Sequence, residues 1–343
     1  MKTLIVGDGL AGLSLAMRMK GYEQPFELIG DNKTPSSTAI ATGMYNPIVF
    51  RRLNLSWMIH DLWPVMHAFY QKAEIELGVQ LIEPTSLKKK IPNEDYARLW
   101  EKRSESIDYS DFVDPLKNGF GPVKQAGMVD CALFQSTFKN QLENQGLLKN
   151  EHFDVNQLTS SKIGVPQYKG IDYKAIIFCE GAYATQNPLF SWLPFKLCKG
   201  EWIIIKTQDE VCVDVLNNKT NIIPLGNNQY KLSSTYSWDD LDWKTTSNAV
   251  EQLTNDFRAL FDVSFEVVQH KAALRPTVAD RRPYLGEHPE LNNIYIFNGL
   301  GSKGVSLAPY FSKHLIEHIF GGKVLLKEVD IQRHIKRYLN APN

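Results

Sequence analysis

The chain has 343 residues, room for one large core and a smaller second lobe. Lys plus Arg and Asp plus Glu each number 38, so the formal charge is zero and no global field draws the chain toward nucleic acid or an anionic membrane. Hydrophobic residues at 43% and charged residues at 22% are those of a globular protein, and no run reaches the ~18 apolar residues of a spanning helix.

In chain order, TLIVG (3–7) reads as an apolar strand, LAGLSLAMRMKG (10–21) as a helix stopping at Gly21, and PFELIGD (25–31) as a second strand. This is a βαβ unit, and it predicts a parallel sheet. The N-terminus enters that strand without a signal segment, so a cytoplasmic protein is expected. A polar loop, DNKTPSSTAIATGMYNP (31–47), follows. In NLSWMIHDLWPVMHAFYQKAEIELG (54–78), Ser56 reads as the N-cap of a helix that Pro64 should kink or restart. The KKK run at 88–90 reads as a solvated turn or edge. VDCALFQSTFKNQLENQGL (129–147) is an amphipathic helix, and YKAIIFCEGAYA (173–184) an apolar strand ending in Glu180-Gly181-Ala182. Residues 195–236 alternate as antiparallel strands with an Asn-Asn turn. WDDLDW and the segment after it read as a capped helix, 265–286 returns to strand and loop, and the chain ends in a strand, a glycine turn and a helix closed by Gly321-Gly322.

Two G-x-G-x-x-G turns stand at opposite ends. Gly7, Gly9 and Gly12, with Leu10 and Ala11 between, follow a strand and open a helix, the context of a dinucleotide site. The ribose-binding acid belongs at the end of the second strand. Strict counting puts Gly30 there and Asp31 one residue later, so Asp31 is the candidate if the loop shifts by one. No Arg sits at that strand end, which disfavours a 2′-phosphate. The second turn, Gly299, Gly301 and Gly304 with Ser302, Lys303 and Val305, has no second βαβ unit after it. Cys131, Cys179, Cys198 and Cys212 lack zinc spacing, and three of them sit in apolar runs. His60, His67 and His270 lack ligand spacing too, so no metal site is expected. The basic RHIKRYL stretch (333–339) reads as a solvated helix face.

GDGLAGLSLA, SSTAIATGMYNP, AGMVD (126–130), AIIFCEGAYA, LRPTVADRRPYLG and NGLGSKGVSLAP occur in the order and spacing of a known group. The chain resembles the FAD-dependent D-amino-acid oxidase/glycine oxidase superfamily (DAO family). Its GSKG and TGMYNP elements are most similar to those of the oxidase half of the bifunctional enzyme that modifies the tRNA wobble uridine. The resemblance implies an α/β fold, α+β overall. A Rossmann-like FAD-binding domain would be assembled from 1–50, 126–194 and 271–343, and a mostly antiparallel substrate domain with helices from 51–125 and 195–270.

The resemblance also implies roles. Ser36, Ser37 and Thr38 would contact phosphate or ribose. Gly43 and Met44 would turn under the isoalloxazine, Val155 would meet adenine, and Gly181 would close over the pyrophosphate. Glu180 departs from the family's usual Ala-Gly. Arg275 matches the arginine that pairs with a substrate carboxylate, a bidentate guanidinium contact being the physical means to anchor one. Arg281 and Arg282 read as loop-bracing or solvated. Tyr236, with Tyr230 behind it, is the candidate to crown the substrate. Lys303 and the helix after it would stabilise negative charge at the flavin, so the two glycine turns grip opposite ends of one non-covalently bound FAD and the chain termini meet.

The expected reaction is oxidation of a CH–NH bond beside a carboxylate, with hydride passing to flavin and the imine hydrolysing. Oxygen or another acceptor would complete the cycle, and no catalytic base is assigned. Two alternatives stand: an oxidase acting on a carboxymethylamino-modified tRNA nucleoside, and a flavin- or RNA-binding protein without turnover. The sequence leaves substrate identity, electron acceptor and oligomeric state open.

Overall fold

The computed structural model describes residues 1–340, so the last three positions of the 271–343 segment lie outside the described residues. Strand β1 (Thr3–Val6) is wholly buried, and helix α1 (Leu10–Gly21) carries the chain into β2 (Phe26–Gly30), as the sequence predicts. Gly7 has φ +111°, and a Cβ there would lie 2.5 Å from the Cys179 carbonyl oxygen; a Cβ on Gly12 would lie 1.9 Å from that of Gly7. Only glycine lets the turn, the helix and the sheet approach this closely.

The short helix α2 (Ser37–Ile40) is capped by Ser36, whose hydroxyl accepts from the Ala39 N–H. Helix α3 (Ile59–Leu77) departs from expectation at its start. Met58, in left-handed backbone, holds the cap position, while Ser56 Oγ donates to the Asn46 carbonyl and accepts from Lys303. The helix also runs through Pro64 without restarting. The lysine run is not a solvated turn. It forms β3 (Leu87–Lys90), beside the edge strand β4 (Phe120–Val123), and Lys89 is buried with its ammonium donating to Asn217 and the Asn218 carbonyl.

Helix α4 (Cys131–Asn144) is capped by Asp130 and buries Phe134, Phe138 and Leu142. β5 (Leu148–Asn150) and β6 (Ala175–Phe178) follow. Then come β7 (Cys198–Thr207), β8 (Val215–Asn217), β9 (Asn221–Gly226) and β10 (Gln229–Ser233). Asn227 and Asn228, both at positive φ, join β9 to β10 in the backbone a tight hairpin requires. WDDLDW is a loop, not helix: α5 (Ser247–Arg258) begins only after Thr246, whose hydroxyl accepts from the Ala249 N–H. Asp240 and Asp242 of that loop each lie 2.6 Å from the buried Lys199 ammonium. The chain closes with β11 (Phe265–Arg275), β12 (Tyr284–Glu287), β13 (Ile294–Asn298), a short turn, and α6 (Gly304–Gly321).

One sheet has the order β5-β2-β1-β6-β13-β12, parallel except for β12. Ile5 of β1 faces a core shared with α1, α3, α4 and α6, whereas Leu4 and Val6 face a smaller cluster around Phe178 and Phe190. The second sheet, β11-β7-β10-β9-β8-β3-β4, is antiparallel except where β8 meets β3.

The segment 51–125, expected to belong to the substrate lobe, serves both. Its strands β3 and β4 join the antiparallel sheet, but α3 buries Leu62, Met66, Phe69, Tyr70 and Ala73 in the helical core of the other lobe and packs on α6. Pro309 inside α6 cannot donate to the Val305 carbonyl, and the buried Tyr70 hydroxyl fills that place at 3.1 Å.

Candidate active site

A cleft of about 950 Å³ runs along the C-terminal ends of β1, β2 and β6 and reaches the β7–β10–β11 face of the second sheet. Ligands of open α/β sheets bind at these strand ends. Gly7, Gly9, Leu10 and Ala11 line it, as do Asp31, Ser36, Ser37, Thr38, Gly43, Met44, Val155, Gly181 and the 301–305 turn, with Arg275 and Tyr236 at the far end. Of the expected site residues, Gly12 and Gly299 stay behind the wall. Gly12 seats α1 on the first turn, and Gly299 packs beside Val278 and Tyr284. The two glycine turns do meet: a Cβ on Gly304 would lie 3.1 Å from the Leu10 side chain.

Not every expected polar contact is available to a ligand. The Thr38 hydroxyl accepts from the Leu10 N–H at 2.9 Å and so buttresses the start of α1. Ser37 donates to the Leu274 carbonyl, and Ser36 exchanges hydrogen bonds with Gln135. The Asp31 carboxylate accepts from the Lys33 N–H and the Thr34 hydroxyl, and these bonds hold its carboxyl below the usual aspartate range. Tyr230 never reaches the cleft: it lies in the core of the antiparallel lobe, its hydroxyl accepting from the Val211 N–H.

At the far end Arg275 enters from the last residue of β11. Its guanidinium donates to Ser234 Oγ at 2.6 Å and, over longer distances, to the carbonyls of Thr235 and Lys199. It lies 4.4 Å above the ring of Tyr236, which is 60% exposed. Among the described residues no carboxylate lies within ion-pair distance of Arg275. The neighbouring acids Asp240 and Asp242 belong to Lys199. A Cβ on Gly200 would fall 1.9 Å from Arg275 Nη2, so the guanidinium lies flat on a bare strand.

Lys303 opens onto the cleft and donates to Ser56 Oγ at 2.6 Å. The surrounding protein, with Arg281 acting in the same direction, pushes its ammonium down to about 8. Glu180, partly buried on the cleft wall beside Asn187, is pushed up to about 7 by burial against the opposing Asn187 hydrogen bond.

The sequence model of the FAD dependent oxidoreductase family, DAO, matches residues 2–318. The chain belongs to this family. It is 24% identical to the tRNA 5-methylaminomethyl-2-thiouridine biosynthesis bifunctional protein of Pseudoalteromonas atlantica over 93% of this chain and 56% of that protein. It is 25% identical to glycine oxidase of Geobacillus kaustophilus over 46% of this chain and 44% of that protein. The chain thus spans about half the length of the curated relatives it matches. Among solved structures, that of glycine oxidase from Geobacillus kaustophilus superposes with a TM-score of 0.74 at 18% identity, covering 97% of both chains. Iminodiacetate oxidase from Chelativorans sp. BNC1 gives 0.75 at 17% identity, covering 97% of this chain and 98% of that one. At such identities the likeness establishes the fold.

This DAO-family chain is an FAD-dependent oxidoreductase, an enzyme by its family. Its cleft suits FAD on structural grounds. Two glycines flank Asp8 in the turn at the start of α1, a second helix start and a lysine face the other end, and the volume matches that of an extended ligand. Sequence reasoning gave Gly200, Ser234 and Asp8 no role of their own in this oxidoreductase and took Ser56 for a helix cap. Gly200, a glycine inside a strand, carried a usable signal of close approach; the other three act through partners remote in sequence.

Proposed function

We propose that this DAO-family oxidoreductase oxidises the CH–NH bond of a small amine or amino acid that carries a carboxylate. The observation that carries this reading is Arg275, a guanidinium on the cleft wall with no acid partner among the described residues. A substrate carboxylate would supply that partner, with Ser234 Oγ beside it as a further donor. Tyr236 would cover the substrate from the solvent side.

The turn from Gly7 to Ala11 would hold the pyrophosphate of FAD, with Gly181 above it. Val155 would sit at the adenine end, and Gly43, Met44 and the 301–305 turn at the isoalloxazine end. Bound FAD would supply the two-electron acceptor. Lys303, oriented by Ser56, and the N-terminus of α6 would place positive potential where charge develops on reduction. No side chain is assigned as a base; the substrate would react as its neutral amine. The four free cysteines, three of them buried, accord with a reducing cytoplasm.

Turnover measured with glycine, sarcosine, D-alanine and D-proline, against amines lacking the carboxylate, tests the reading. Peroxide release or dye reduction confined to the carboxylate-bearing compounds is expected; equal rates with both groups would contradict it.

A second reading is favoured by the relative that spans 93% of the chain, whose name places it in tRNA 5-methylaminomethyl-2-thiouridine biosynthesis. The exposed Tyr236 and Arg281 on the cleft rim would admit a large substrate. That reading predicts silence across the free amine panel and oxidation of a carboxymethylamino group carried on tRNA.

A further inference from the structure

A dinucleotide-binding βαβ unit normally ends its second strand in an acid that takes the ribose hydroxyls. Here that strand ends in Gly30. The space is not vacant. A Cβ built on Gly30 would lie 2.4 Å from Asp8 Oδ2, 2.5 Å from its Cγ and 2.6 Å from its Cβ. The carboxyl group of Asp8, reaching across from the first glycine turn, thus fills the position that a side chain on Gly30 would take. A side chain at 30 and the present placement of Asp8 exclude each other.

Asp8 lines the cleft and is held from behind by α4. Lys139 forms an ion pair with its Oδ2 and also donates to Asn32 Oδ1 at 2.6 Å. Gln135 Nε2 donates to the Asp8 backbone carbonyl at 2.9 Å. The other candidate, Asp31, has both carboxylate oxygens engaged within its own turn.

We propose that Asp8 is the residue that accepts hydrogen bonds from the adenosine ribose of FAD, the acid having moved from the strand end to the glycine turn, with Lys139 and Gln135 as its positioning residues. This rests on FAD being the cofactor of the family and not on the identity of the substrate.

The test is FAD affinity of the deflavinated protein, read from quenching of flavin fluorescence, with FMN, which lacks the adenosine, as the control. Asp8→Ala should weaken FAD binding about 10- to 100-fold, the weight of charge-assisted hydrogen bonds, and leave FMN binding unchanged. The isosteric Asp8→Asn, which preserves volume at the turn, should weaken FAD in the same direction. Asp31→Ala should stay within about twofold of wild type. Gly30→Glu alone should weaken binding by colliding with Asp8, and Asp8→Gly combined with Gly30→Glu should restore it. Wild-type FAD affinity in both Asp8 variants, an equal loss of FMN, or a loss on Asp31→Ala alone would overturn the proposal. So would failure of the paired exchange to recover what Gly30→Glu loses.

Discussion

Arg275 is a cation kept in place by neutral acceptors. Carbonyls and one hydroxyl fix its fork, Tyr236 lies beneath it, and Gly200 leaves it room. If it binds a substrate carboxylate, Arg275→Ala should raise KM by about 100-fold with a smaller effect on kcat, and Arg275→Lys should recover only part of the loss because the fork is gone. Gly200→Ala should act in the same direction, since its methyl group would displace the guanidinium, and FAD affinity should stay as in wild type. Steady-state kinetics on the best substrate of the panel check both. Glu180 sets a pH dependence of another kind. Its carboxyl titrates near 7 in the fold against 4.5 as its ordinary value, so the native state holds a proton that the unfolded chain has released. Stability should therefore fall as pH rises from about 4.5 to about 7. Glu180→Gln should remove that slope, matching wild type at pH 4.5 and exceeding it above 7 in denaturant titrations of the deflavinated protein.

At the scale of elements, α3 and α6 are joined by a repair. Pro309 leaves the Val305 carbonyl without its helical donor, and Tyr70, 235 positions away in sequence, supplies one. Tyr70→Phe should cost about 1–3 kcal/mol, because a buried acceptor loses its partner. Pro309→Ala restores an amide to that carbonyl, so Tyr70→Phe should cost measurably less in the Pro309→Ala background. Denaturant unfolding of the four proteins gives the comparison. The same pairing shows why some of the fold was legible in the sequence and some was not. The β1–α1–β2 unit is written within a few residues of where it acts and stands where the pattern predicts; the caps Asp130 and Thr246 are equally local, although the pattern singled out neither and began the second helix too early. Ser56 has the residue type of a cap but is held by Asn46 and Lys303, a partner 247 positions away. The lysine run looks solvated by composition, yet Lys89 is buried because Asn217 at the end of the distant β8 and the carbonyl of Asn218 just after it satisfy its ammonium. Asp8 over Gly30 is the same case inside the site. Each residue is ordinary when read alone, and their exchange of roles exists only once β1 and β2 lie side by side.

On the scale of the whole molecule, the fold brings the two ends of the chain to one cleft. The parallel sheet takes β1 and β2 from the start and β12 and β13 from the end, and Gly304 of the second turn packs against Leu10 of the first. FAD binding across both turns would tie the N- and C-terminal segments together. Removing FAD should therefore lower the midpoint of thermal unfolding, and restoring it at about 100 times its Kd should return about 2.7 kcal/mol. Calorimetry with and without added FAD checks this. The central claim joins the scales: a flavin held by the two glycine turns takes electrons from an amine whose carboxylate rests on Arg275. Anaerobic titration of the purified holoenzyme, followed through the visible flavin absorbance, tests it most directly. Bleaching by a carboxylate-bearing amine such as glycine or sarcosine, absent with the corresponding amine lacking the carboxylate and shifted to far higher concentration in Arg275→Ala, is the predicted result. Bleaching that is indifferent to both the carboxylate and Arg275 would contradict it.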